Sequence, residues 1–130
     1  MKRHITFIVV IGVVFLFYSC ASHEPRFRIL GAKMLNKSDM EQLFYAERTV
    51  RFSIPGGFAT VRYYPDGRQE IEWDNGKDAG RFRIENEEFC STWERLRNGA
   101  ESCLKVYKVS EYEFEFMSSD GAIVATMHLK

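Results

Sequence analysis

The sequence predicts a mainly β domain: one N-terminal helix followed by an up-and-down antiparallel meander of about eight strands, strongly curled or closed into a small barrel. Three observations predict it. Turn-forming residues recur roughly every ten residues after Arg48, at Pro55-Gly56-Gly57, Pro65-Asp66-Gly67, Asn75-Gly76, Asn98-Gly99 and Asp120-Gly121, the spacing of short strands joined by tight turns. Tyr112, Phe114 and Phe116 alternate with Glu111, Glu113 and Glu115, the two-residue period of a half-buried strand with an acidic outer face. Helical signals gather at Ser38-Asp39-Met40-Glu41, a capping box in which the serine caps the third amide and the glutamate reaches back.

From that cap, Met40, Leu43 and Phe44 share one helical face, and the helix should end near Ala46 or Glu47. Before it, Phe27-Arg28-Ile29-Leu30 fits an extended segment and a loop equally. In the first hairpin, Pro65-Asp66-Gly67 acts as a three-residue loop with Gly67 left-handed. That register sets Val61 against Ile71 and Ala59 against Trp73 inside, and Arg62 against Glu70 outside. A four-residue loop from Asn75 to Asp78 then sets Ile71 against Phe82, Glu72 against Arg81 and Glu70 against Arg83. Cys90 and Cys103 can face each other only if the Asn98-Gly99 region is a wide, irregular loop around Arg95 to Asn98. That register also pairs Phe89 with Leu104 and Glu88 with Lys105, and it is preferred over a tight turn, which would hold the thiols too far apart to join. A short loop at Lys108 to Ser110 sets Lys105 against Glu113. A turn at Ser118 to Gly121 sets Phe114 against Ala125 and Glu111 against His128.

The chain opens with Lys2, Arg3 and His4, continues uncharged from Ile5 to Tyr18, and reaches Ser19-Cys20-Ala21. Residues 1–19 therefore read as a secretory signal peptide, with an apolar run shorter than the ~20 residues of a membrane-crossing helix. Phe17-Tyr18-Ser19-Cys20 resembles a bacterial lipobox, which implies cleavage before Cys20 and acylation of that cysteine. Ordinary cleavage after Ala21 is the alternative, because Ser19-Cys20-Ala21 also has the small-x-small pattern. Residues 20–26 then form a lipid-anchored tether and residues 27–130 a single domain. Ala21, rather than aspartate, after the cysteine implies the outer membrane facing the periplasm; the alternative is a soluble periplasmic or secreted protein. With Cys20 lipidated or removed, the remaining two of three cysteines form a pair that an oxidising compartment would join.

Charge excludes one class of partner. The full chain carries 18 basic and 18 acidic residues, and removal of the signal peptide takes away only Lys2 and Arg3. No basic field is left for nucleic acid. Catalytic chemistry is equally short of material. His128 is the one histidine in the domain body, beside a predicted Glu111 in a terminal strand, and reads as a surface ion pair rather than a general base. Asp74-Asn75-Gly76-Lys77-Asp78 resembles a calcium loop only in outline: glycine replaces the third ligand and the closing glutamate is absent, so a hairpin suffices. No histidine and cysteine spacing suits zinc. Glu111, Glu113 and Glu115 stand about 7 Å apart at alternate positions and point to solvent. No cofactor, metal or catalytic residue is expected. Tyr63, Trp73, Phe82, Trp93 and Phe114 are the candidate lining of a ligand pocket, if the barrel is hollow rather than filled.

The turn Tyr63-Tyr64-Pro65-Asp66-Gly67, then Gly80-Arg81-Phe82, then Cys90, Trp93, Cys103 and Tyr107 together resemble a group of small exported bacterial proteins of unassigned function. The resemblance covers most of the chain after the signal peptide and implies an envelope-located β domain, without supplying a reaction. The expected function is that of a non-enzymatic cell-envelope lipoprotein acting as a binding or interaction module. Its partners would be the membrane, through the lipid on Cys20, and another envelope protein or a small apolar ligand. The alternative is a carrier of a small apolar ligand in a barrel resembling the lipocalins.

Overall fold

A computed structural model describes residues 31–129. The signal peptide, Cys20, the tether and the undecided segment 27–30 lie outside the described residues. Within them the chain forms a short strand β1 (Lys33–Met34), a helix α1 (Lys37–Phe44) and eight strands: β2 (Arg48–Ile54), β3 (Gly57–Tyr63), β4 (Arg68–Trp73), β5 (Gly76–Glu85), β6 (Glu88–Trp93), β7 (Ser102–Lys108), β8 (Glu113–Met117) and β9 (Ile123–His128). Each of the eight pairs antiparallel with the next, and β9 returns to pair with β2. The meander is therefore a closed barrel, which leaves β2 to β9 no open edge for pairing with another chain. β1 precedes the helix, so α1 is not the first element. It adds to β7 where β6 has ended, matching Met34 with Tyr107.

The helix begins two residues earlier than a Ser38 cap would allow. Asn36 is the N-cap: its side chain accepts the Asp39 amide at 2.8 Å, and Asp39 reaches back to the Asn36 amide. The capping box is thus Asn36 with Asp39 instead of Ser38 with Glu41. It has the same logic, with asparagine, as good an N-cap as serine, in the serine's place. The helix also ends sooner, at Phe44.

Phe44 and Met40, both fully buried, are carried into the barrel. Phe44 has its ring centroid 5.2 Å from Tyr63 on β3, 6.2 Å from Phe82 on β5, 4.4 Å from Phe89 on β6 and 6.0 Å from Phe116 on β8. A ring that touches β3 and β8 together is inside the barrel, because those strands are not neighbours. The inward residues Val50, Val61, Val106 and Met127 complete the same core. Phe82 and Phe114, two of the candidate pocket residues, belong to this packed interior.

Two hairpin registers are as the sequence predicts: Val61 opposes Ile71 and Arg62 opposes Glu70, while Phe89 opposes Leu104 and Cys90 opposes Cys103. Three others differ. β4 and β5 are joined by the two-residue turn Asp74-Asn75, so Ile71 faces Asp78 and not Phe82. Glycine fixes this arrangement. A Cβ at Gly76 would come within 2.8 Å of the Trp73 ring, and one at Gly80 within 2.0 Å of the Thr92 carbonyl oxygen, so only glycine allows the close approaches. Lys105 faces Met117 rather than Glu113, because the loop after β7 runs on to Tyr112. His128 faces Glu113 rather than Glu111, and Phe114 faces Met127 rather than Ala125.

The expected outer ion pairs are rearranged too, even at Arg62, where the register holds. Arg62 pairs with Glu47, and Glu70 instead accepts the Tyr64 hydroxyl at 2.9 Å. Arg83 pairs with Glu85 and, at 2.7 Å, with Glu101, leaving Glu70 aside. All of these partners are well exposed, where such pairs contribute little to stability.

Candidate functional site

The barrel is not filled throughout. At the end away from α1 lies a cavity of about 120 Å³. Its walls come from inward positions of several strands, among them Phe52, Val61, Phe89, Leu104 and Phe116, and its rim includes Ile54, Arg97 and Val124. Two of the five candidate pocket residues, Tyr63 and Trp93, line it. The other three do not: Phe82 and Phe114 are packed in the core, and Trp73 lies over Gly76. Burial pushes the Tyr63 phenol up, so this group stays neutral at any physiological pH.

Gln69, which is 1% exposed, is a polar member of the wall beside Ser91 and Tyr63. Its Nε2 donates to the Arg81 carbonyl at 3.2 Å and the Thr92 carbonyl at 3.4 Å. Those two acceptors fix the orientation of the amide, since a flipped group would set oxygen against oxygen. Its Oε1 has no hydrogen-bond partner among the described residues. A buried acceptor left so costs about 1–3 kcal/mol, which marks the position as one not shaped by stability alone. Alternation along β4 places Gln69 on the same face as Ile71, so its inward position was legible. Its polarity argued against singling it out.

The loop that borders the rim is held by one buried carboxylate. Asp78, with its side chain 1% exposed, accepts the amides of Leu96 at 2.9 Å and Arg95 at 3.0 Å through Oδ2, and that of Ala79 at 2.9 Å through Oδ1. Arg95 adds an ion pair at 3.7 Å and a bond to the Lys77 carbonyl. The following 3₁₀ turn (Leu96–Gly99) carries Arg97 and Asn98 at a φ of 54° each, the left-handed region that non-glycine residues seldom occupy. This is the wide, irregular loop that the cysteine pairing demands. The segment that resembled a calcium loop is therefore a hairpin whose last carboxylate serves backbone amides.

Burial pushes the Asp78 carboxyl up, but the amides of Leu96, Arg95 and Ala79 and the Arg95 guanidinium outweigh it and hold the group below the usual carboxylate range. A lowered folded-state pKa gives stability that is present above the unfolded value and is lost as pH falls through the folded one. Asp78→Asn is accordingly expected to be less stable than the parent chain at neutral pH. The gap between the two should close as pH falls below about 4. Urea midpoints measured at stepped pH check this, and a gap that stayed constant into acid would show that Asp78 is not the ionised anchor of the loop.

On the outer surface, a second constellation spans the closing seam. Ser53 on β2 lies 3.0 Å from His128 Nε2 on β9, and His128 Nδ1 lies 3.3 Å from Glu113 on β8. The order matches nucleophile, base and orienting acid. Its setting does not match acyl-transfer chemistry. Ser53 pairs with Phe58 on one side and Thr126 on the other, so the amides around it are committed to sheet ladders and are not free to stabilise an oxyanion. The arrangement ties β8, β9 and β2 together. Sequence reasoning reached His128 with a carboxylate but missed Ser53, because the contact crosses the closure between the first and last barrel strands.

Cys90 and Cys103 are joined in a disulfide, with Cα atoms 4.0 Å apart. Both sulfurs are thereby committed, and their grouping with Glu101 offers no thiolate to a metal. No family model, curated protein or solved structure matches this chain.

Proposed function

We propose that the chain is a non-enzymatic binding or interaction module of the bacterial cell envelope, exported by residues 1–19 and tethered through a lipid on Cys20. The observation that carries this reading is the Cys90–Cys103 disulfide. A cross-strand bond of this kind persists in oxidising compartments and is rare in the cytosol. It also pairs two of the three cysteines and leaves over Cys20, the cysteine of the lipobox-like sequence. The implied address is the outer membrane, facing the periplasm. An envelope protein is one class of partner for the barrel's outer surface.

The test is metabolic labelling with a radioactive fatty acid in a Gram-negative host. The parent chain should take up label and fractionate with membranes, and Cys20→Ala should do neither. Label that survives Cys20→Ala, or a parent chain without label, would overturn the tether in favour of a soluble periplasmic or secreted protein.

The cavity supports a second reading, a carrier of a small apolar ligand. At about 120 Å³ it is of the size that accommodates a single ring, comparable to the ~150 Å³ apolar cavity that takes up benzene, and well short of the several hundred Å³ of a typical ligand pocket. A long-chain lipid does not fit inside the barrel beside Phe44 and its neighbours.

A further inference from the structure

We propose that the cavity opposite α1 binds a ring-sized apolar molecule bearing one O–H or N–H donor, and that Gln69 Oε1 accepts the hydrogen bond from that donor. The inference rests on the reading of the barrel as a binding module and gives that module a ligand chemistry. Three observations converge on it. The wall is mostly apolar, with Phe52, Val61, Phe89, Leu104 and Phe116, and Ser91 and Tyr63 also line it. It contains one buried amide whose nitrogen is tied back to wall carbonyls and whose oxygen is left without a partner. The rim is bordered by a loop in which Arg97 and Asn98 are both left-handed, a conformation that surrounding structure must maintain and that gathers at ligand sites.

The chemistry selects the ligand as follows. A hydrocarbon of the right size would gain the apolar contacts but bring no donor to Gln69 Oε1. A molecule with a hydroxyl or amine supplies a donor to that oxygen, so it should bind more tightly than its hydrocarbon counterpart. An ether of the same size has oxygen but no donor, and sets two acceptors against each other.

The experiment titrates the ¹⁵N-labelled full-length chain with phenol, toluene and anisole, followed by heteronuclear NMR. Phenol should perturb the Gln69 side-chain amide and the Trp93 indole signals and bind about fivefold or more tightly than toluene or anisole. Gln69→Met keeps the length of the side chain and removes the acceptor. It should bring phenol to the level of toluene while leaving toluene binding within about twofold of the parent. The three-probe comparison on the parent chain stands even if this variant fails to fold. Equal affinities for the three probes would overturn the role of Gln69 and leave the apolar cavity as a general binder. Absence of binding by all three, with solvent alone in the cavity, would overturn both this inference and the carrier reading. The envelope tether, tested by labelling, would be untouched.

Discussion

Replacing Phe44 with alanine is expected to lower the stability of the domain by about 3–5 kcal/mol, the range for deleting a fully buried aromatic side chain. Phe44 is 1% exposed, and its ring is the point where β3, β5, β6 and β8 meet through Tyr63, Phe82, Phe89 and Phe116. The helix that delivers it spans only eight residues, too few to be stable without tertiary support. The anchoring is mutual: the ring closes one end of the barrel, and the barrel holds α1 folded. The neighbours of Phe44 are strands constrained by closure on both sides, so they cannot collapse fully into the space left behind. The loss should therefore sit toward the upper part of the range. Net stabilities of domains are about 5–15 kcal/mol, so this one substitution approaches the whole. Urea unfolding should show a large fall in midpoint for Phe44→Ala and a smaller one for Phe44→Leu. An unchanged midpoint would mean that α1 rests on the barrel without closing it.

The sequence was most legible where a turn or a covalent constraint fixes position along a strand. Gly67 has a φ of 89°, which the Pro65-Asp66-Gly67 loop requires, and the β3–β4 register follows from it. The two cysteines fix β6 against β7 in the same way. Elsewhere the predicted registers slip, but always by an even number of residues. Ile71 meets Asp78, four residues from Phe82; Lys105 meets Met117, four from Glu113; His128 meets Glu113, two from Glu111. Apolar alternation has a period of two, so it decides which face a residue occupies and says nothing about sliding by two or four. Phe82, Phe114 and Phe116 are consequently inward as predicted, whereas Tyr112, expected in the same row, precedes β8 and is exposed, and the outer ion pairs are not those expected.

Position along the strands is set by features that pattern does not encode. The stagger of a closed barrel is a property of all its strands together. The close approaches at Gly76 and Gly80 depend on which ring or carbonyl lies opposite. The same reasoning covers the site. Tyr63 and Trp93 were identifiable as inward aromatics. Whether an inward aromatic fills the core, as Phe82 does, or lines a cavity, as Trp93 does, depends on where Phe44 enters. Gln69 is the clearest instance: its face was readable, and its unpartnered oxygen was not.

Opening the Cys90–Cys103 disulfide is expected to cost about 3 kcal/mol, the loss for releasing a loop of this length in the chain-entropy treatment. The two residues are 13 apart in sequence, and the segment between them is poorly designed to close on itself. It contains a 3₁₀ turn with two left-handed non-glycine residues, Arg97 and Asn98, and much of its hydrogen bonding comes from outside the loop, through Asp78. In the unfolded chain the covalent link removes many of the open conformations from which this loop would have to be assembled. Without the link, β6 and β7 must find their register through a short ladder, Phe89–Leu104 to Ser91–Ser102. Melting should accordingly fall by more than ~10 °C on addition of reductant, and Cys90→Ala/Cys103→Ala should melt near the reduced parent and be indifferent to reductant. Identical melting of the parent with and without reductant would mean that the thiols do not govern stability. The inner barrel should respond less than the loop. Phe44 and its ring contacts do not depend on residues 94–101, so hydrogen exchange should accelerate first at Arg95 to Ala100 and at the cavity rim, and only later at β2, β3 and β9. That order of opening ties the redox state of the compartment to the shape of the proposed binding site, because the segment released first is the one that carries Arg97.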